Sequence, residues 1–320
     1  MLVLGSHITV GGVSFGGVHE VKVKRSIHEL GATASIKVPV TAVLSYAGEP
    51  PARIEVAKTI KVGDKVSIAL GYNGSLTREF VGYVKVLNLQ TPLEIICEDE
   101  YYMTRGVSIT FDGSKEKITL KEVLQTCGLS VAYATDLTLT NFVVDNKPIS
   151  WVLGKLKTEY GLTIFFDMSG NVYAGEPYKI ISDVVEYRLR YNVIKDDSLK
   201  FHRAEDVKLK IKAVCIFRDG TKVEGTIGAD DGTEKTLYFY DVESKEELAA
   251  LAAAELKRYS YDGYSGSIEA FLAPYAIPCM RAKIVDDIFP ERNGTYYIES
   301  TEVTYGMSGG RRKLEIGIAI

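Results

Sequence analysis

Along most of this chain apolar and polar residues alternate with a period of two, and Asn-Gly or Asp-Gly pairs interrupt the alternation. That period places successive side chains on opposite faces of a strand, so the dominant element is the half-buried β-strand. The interrupting pairs tolerate the positive φ of tight turns. Hairpin or loop turns are therefore expected at Asn73-Gly74, Asp112-Gly113, Asp219-Gly220, Asp231-Gly232, Asp262-Gly263 and Asn293-Gly294.

Two strands stand out. Over residues 207–217, Val207, Leu209, Ile211, Ala213, Cys215 and Phe217 share one face, and Lys208, Lys210 and Lys212 share the other. Near the end, Leu314, Ile316, Ile318 and Ile320 alternate to the last residue, so the chain is expected to end inside a sheet. Three helices interrupt the strands. Thr119 and Glu122 form a capping box that opens a short helix closing at Gly128. A second helix runs from about Pro148 to Tyr160, with Pro at its start, Gly161 past its end and an apolar stripe of Val152, Leu153, Leu156 and Tyr160. Ser244 and Glu247 cap the longest helix, about 244–259, whose face carries Leu248, Leu251, Ala252 and Leu256.

The expected fold is mainly β with an α+β insert: two β-barrel, tube-like domains flank a small α/β domain. The boundaries fall at 1–112 for the first barrel, 113–180 for the α/β unit and 181–320 for the second barrel with its inserted helix. No fixed short repeat appears, which disfavours solenoids and propellers.

Composition adds mainly exclusions. The 320 residues are 46% hydrophobic and 25% charged, with net charge −4, an ordinary globular balance without the basic footprint of a sequence-specific nucleic-acid binder. Cys97, Cys127, Cys215 and Cys279 are scattered, so a disulfide framework or zinc site is not expected. The N-terminus lacks a basic, apolar leader, and no stretch approaches a spanning helix, so neither a signal peptide nor membrane insertion is expected. P-loop, dinucleotide, HExxH and GxSxG motifs are missing, and no catalytic, metal or cofactor residue is assigned. His7, His19, His28 and His202 do not pair at ligand spacing, and His28-Glu29 reads as a solvated turn. The acidic clusters 98–100, 196–197, 230–231 and 286–287 sit at strand ends or turns, where solvated acids are common. The row Lys208, Lys210, Lys212 has three readings: a solvated face, an edge strand guarded by charge, or a basic surface facing a channel or acidic partner. Gly309-Gly310-Arg311-Arg312 reads as a flexible hairpin tip.

A family resemblance then emerges. Residues 60–72 read I-x-x-GD-x-V-x-I-x-x-GY, carrying Gly63, Asp64, Gly71 and Tyr72. Glu79, Phe80, Gly82 and Tyr83 follow, then the strand 93–99. This resembles the first barrel of the phage late control protein D family, the baseplate hubs of contractile tails, whose fold is related to the hub part of type VI secretion spike proteins. The helix and hairpin at 147–173, the helix from Ser244, the segment from Gly263 to Pro274, and Gly294, Tyr296 and Gly310 near the end are similar to the rest of that family. One departure is Pro278-Cys279, where the family often has Pro-Gly; a slightly different loop is expected there.

The resemblance implies a homotrimeric ring in which three chains supply six barrels, matching a six-fold tail tube on one side and a three-fold spike on the other. The implied partners are further copies of the chain, the tail tube protein, a separate spike protein and other baseplate subunits. It implies a virion tail or injection apparatus, with phage, prophage, bacteriocin and secretion-system origins all open, made in the bacterial cytoplasm. The residues leave two alternatives open: a tail-associated cell-wall hydrolase and a carbohydrate-binding module.

Overall fold

The computed structural model describes residues 3–44, 52–216, 221–240, 242 and 244–320. Phe217 and the Asp219-Gly220 turn expected from the alternation lie outside these residues.

The first half is built from β1 (Leu4–Val10), β2 (Val13–Phe15), β3 (Glu20–Ser26) and β4 (Thr33–Val38). A hairpin of β5 (Thr41–Leu44) and β6 (Ala52–Glu55) and the single turn α1 (Val56–Thr59) come next. Then follow β7 (Lys65–Tyr72), β8 (Ser75–Asn88) and β9 (Leu93–Glu98). Alternation turns one face inward, and Ile8, Ile36, Ile68, Phe80 and Ile95 are fully buried in one largely aliphatic core.

The middle unit has its own core around Leu120, Val123, Val152, Leu153, Leu156 and Ile164. It contains β10 (Ser108–Asp112), β11 (Lys117–Thr119), α2 (Leu120–Thr126), β12 (Val131–Ala134), β13 (Thr138–Thr140), β14 (Val143–Pro148), α3 (Ile149–Tyr160), β15 (Thr163–Phe166) and β16 (Val172–Gly175). The capping box of Thr119 and Glu122 opens α2, and Gly161, at φ 62, closes α3, as their sequences require.

The last half holds β17 (Val184–Arg188), β18 (Val193–Lys195), β19 (Lys200–His202), β20 (Leu209–Ile216), β21 (Lys222–Gly228), β22 (Thr233–Phe239), α4 (Lys245–Tyr259), β23 (Gly263–Ala270), β24 (Arg281–Val285), β25 (Gly294–Gly306) and β26 (Gly309–Ala319). The mainly-β fold with a small α+β unit is as expected. An insert larger than the expected helix is not: β20 stands between β21 and β22 in a separate three-stranded sheet, packed with α4 against β26. Its strand starts at Leu209 rather than Val207, because Val207 closes a 3-10 turn through its N–H to the Ala204 carbonyl. Leu251 also departs from expectation. The buried stripe of α4 is Leu248, Ala252 and Tyr259, which leaves Leu251 39% exposed on its flank.

Both halves share a 14-stranded sheet, running β18-β23-β26-β25-β3-β4-β9-β8-β7-β1-β2, with β17, β19 and β24 off that path. The join is β25. Its first part pairs with β24, and Ser300 to Gly306 pair antiparallel with β3 from Ser26 to Glu20. The turn dipeptides divide. Asn73-Gly74 and Asp112-Gly113 supply positive φ at turns, whereas Gly263 and Gly294 open strands and Gly232 has no positive φ. At Pro278-Cys279 the expected loop change is not visible in the backbone turn: Cys279 takes φ 74, the region a glycine favours.

Candidate functional site

Of the residues that the resemblance marks, Tyr72 and Gly310 meet across the two halves, and the others make contacts within one half. Gly63 turns at φ 90, and its N–H bonds to the Val84 carbonyl. Asp64 accepts the Lys61 N–H at 2.8 Å and opens β7. At the far end of β7, Gly71 lies so close to the Ser75 carbonyl that a Cβ would stand 1.9 Å from it. Tyr72 follows, and its hydroxyl donates to the Gly310 carbonyl at 3.1 Å and accepts the Leu272 N–H at 3.4 Å. Gly310 packs its backbone against Leu272 and Leu4. Phe80 is a fully buried core ring, and Gly82 lies against the Glu98 carbonyl. In the last half, Gly294 starts β25 beneath the ring of Tyr296, whose buried hydroxyl accepts the Tyr264 N–H at 2.9 Å.

Sequence reasoning missed the strongest contact at this seam. Arg312 is 1% and Glu79 3% exposed, and they form a two-pronged ion pair at 2.6 and 3.2 Å. The same guanidinium donates to the carbonyls of Ala276 at 2.9 Å and Leu272 at 3.1 Å. This corrects the hairpin-tip reading of residues 309–312: β26 begins at Gly309, and Arg312 is in phase with buried Leu314, Ile316 and Ile318. The signal was available, since the alternation carried two residues back lands on Arg312.

The lysine row is placed differently from the other site residues. Lys210 and Lys212 lie on β20, and Lys208 immediately precedes it. β20 is flanked on both sides, so the edge-strand reading fails. Each lysine faces an acid: Lys208 to Asp231 at 2.5 Å, Lys210 to Asp230 at 3.7 Å and Lys212 to Glu224 at 2.9 Å. The row is therefore a charge-balanced face.

The acidic clusters at 98–100 and 286–287 have structural partners. Glu98 binds Arg105 and Lys85. Asp99 caps the 3-10 turn after β9, accepting N–H groups of Tyr101 and Ala32. Asp286 accepts from the N–H of Ile288, the Tyr264 hydroxyl and Arg190. All four cysteines are buried free thiols, and burial pushes Cys97 up to about 12.

A fourth arrangement gathers several segments on one carboxylate. Glu299 of β25 accepts from the Tyr178 hydroxyl at 2.5 Å and lies 3.1 Å from His28 Nε2. Lys235 of β22 sits over the rings of Tyr178 and of Tyr259 on α4. Hydrogen bonds from His28 and Tyr178 hold the Glu299 carboxyl below its usual value against the opposing effect of burial.

No known family profile matches the chain, and no curated protein matches it by sequence. Solved structures do match its fold. The 43 kDa tail protein of prophage MuSo2 from Shewanella oneidensis superposes with a TM-score of 0.58 at 16% identity, over 98% of this chain and 97% of that one. A tail protein from Neisseria meningitidis MC58 gives 0.60 at 9% identity, over 98% and 96%. The E. coli c3393 protein, a type VI secretion component described as structurally similar to T4 tail proteins gp27 and gp5, gives 0.56 at 10% identity, over 98% and 76%. The chain thus carries the fold of phage tail proteins and of a type VI secretion component, the fold that its sequence resemblance implied.

Proposed function

We propose that the chain is a non-enzymatic hub subunit of a phage-type tail or related injection apparatus. Three copies form a ring that joins a six-fold tail tube to a three-fold, separately encoded spike, with other baseplate subunits around it. The observation that carries this reading is the β25–β3 pairing, which sets two β halves edge to edge in one continuous sheet. Two similar units fused in one chain allow three chains to present six units, the arithmetic that a three-fold to six-fold adaptor requires. The units are taken as 1–112, 113–180 and 181–320. Lys208, Lys210 and Lys212, with their paired acids, are assigned to the lumen or to a partner. Synthesis in the bacterial cytoplasm and incorporation into the tail follow from the same reading.

Light scattering tests it. The purified chain, mixed with the spike and tube proteins of its own gene cluster, should reach the mass of a complex holding three copies. A chain that stays monomeric under every mixture overturns the proposal.

A further inference from the structure

The two halves repeat one strand order. The first runs β3-β4-β9-β8-β7-β1 and the second β19-β23-β26-β25-β24-β17. The match reaches single residues. The Val84 N–H bonds to the Asp64 carbonyl, and the Gly63 N–H to the Val84 carbonyl. In the second half the Ile298 N–H bonds to the Met280 carbonyl, and the Cys279 N–H to the Ile298 carbonyl. Gly63 and Cys279 both take positive φ, 90 and 74. The register then shifts at the same place, between Val84 and Val86 in β8 and between Ile298 and Ser300 in β25. Val86, Leu87 and Asn88 are thus the counterparts of Ser300, Thr301 and Glu302. The β4–β9 and β23–β26 ladders carry the correspondence outward, so that Lys24, Arg25 and Ser26 match Lys200, Phe201 and His202.

The counterparts differ in one respect. Within the chain Ser300, Thr301 and Glu302 pair with Ser26, Arg25 and Lys24. Among the described residues, Val86 to Asn88 pair with β9 alone, and Lys200 to His202 pair with β23 alone. Each segment therefore presents a bare strand edge, the kind that accepts another strand. Val86 is 40% and Phe201 37% exposed on these edges. Within one chain β23, β26, β25, β3, β4 and β9 lie between them in the sheet.

We propose that β8 of one copy pairs antiparallel with β19 of the next, Val86 to His202, Leu87 to Phe201 and Asn88 to Lys200. This junction repeats between chains the β25–β3 join that each chain makes within itself. It rests on the ring reading: a ring of six similar units closes through six similar junctions, three inside chains and three between them.

The test is disulfide trapping in the mixture with the spike and tube proteins. Facing residues of an antiparallel pair have Cα atoms about 4.5–5.5 Å apart, within disulfide range. Val86→Cys with His202→Cys, and Leu87→Cys with Phe201→Cys, should each give a reducible ladder ending at three chains. Each single-cysteine variant should stay uncrosslinked. So should Val86→Cys with Lys200→Cys, which is two residues out of register. Asn88→Lys sets a lysine against Lys200 and should weaken assembly roughly two- to fivefold. Adding Lys200→Glu should restore it, a rescue that damage to the fold does not produce. Failure of both in-register pairs to link in a three-copy complex overturns the proposal and leaves the hub reading intact. Equal linkage out of register, or no rescue by Lys200→Glu, also overturns it. A chain that never assembles takes both readings down.

Discussion

The two β halves share one sheet but fill their interiors differently. The first half packs aliphatic side chains such as Ile8, Ile36, Ile68 and Ile95, with Phe80 as its fully buried ring. The second places Tyr187, Tyr264 and Tyr296 in its core, with Tyr297 beside them in the neighbouring cluster. An aliphatic core needs only shape. A tyrosine core also calls for hydrogen-bond partners, and three of these rings find them in neighbouring segments: Tyr296 at the Tyr264 N–H, Tyr264 at Asp286, and Tyr297 at the Ile180 carbonyl, whereas the buried Tyr187 hydroxyl has none among the described residues. The second half is thus hooked to the linker that leaves the middle unit, whereas the aliphatic core of the first takes in Leu272 and Val303 from the second. Where the halves touch, the β25–β3 ladder and the Tyr72 hydrogen bonds are joined by a buried ion pair, Arg312 on Glu79.

The sharpest way to break this comparison is at that contact. Arg312→Met alone, or Glu79→Gln alone, strands a buried partner and should cost about 3–5 kcal/mol in denaturant unfolding. The double variant Arg312→Met with Glu79→Met should cost less than the sum. Strict additivity would show that the pair does not tie the halves together.

Next come the cores themselves. Ile36→Ala, at a fully buried aliphatic site, should lose about 2–5 kcal/mol. Tyr296→Phe should lose about 1–3 kcal/mol, because the Tyr264 N–H is left without its acceptor. If Tyr296→Phe is neutral, the hooks of the second half contribute nothing to its stability.

Cys279 offers a finer probe of the second half. Glycine there relieves left-handed strain of about 1 kcal/mol while removing a small buried side chain. Cys279→Gly should therefore stay within about 1 kcal/mol of the native chain. Cys279→Val, β-branched at φ 74, should lose about 2 kcal/mol or more. Equal unfolding midpoints for the two variants would show that this backbone can relax.

The last effect is pH-dependent and concerns the polar end of the first half. Burial raises the Asp99 carboxyl from 3.8 to about 7. Between those values the folded chain keeps a proton that the unfolded chain has released, so stability falls as pH rises across that window. Asp99→Asn should flatten the slope of unfolding midpoint against pH, and an unchanged slope would assign it to other groups.

Much of this architecture was legible in the chain. Period-two alternation marks the strands, and Thr119, Glu122 and Gly161 mark helix ends through local chemistry that needs no tertiary context. What escaped depends on distant partners. Arg312 looks like a surface residue until Glu79 meets it, 233 positions away in sequence. β20 looks like part of the second barrel because alternation reports which face is buried, not which sheet does the burying.

The β3–β25 join also sets an order of events during synthesis. β3 is translated long before its partner strand β25. Until then a finished first half presents β3 as a bare strand edge, the kind of surface that recruits stray chains. Lys22 and Lys24 stand on that edge, where their charge discourages such encounters, and Glu302 meets both when β25 arrives. The same two lysines thus serve as a guard on the nascent chain and as a latch on the finished one.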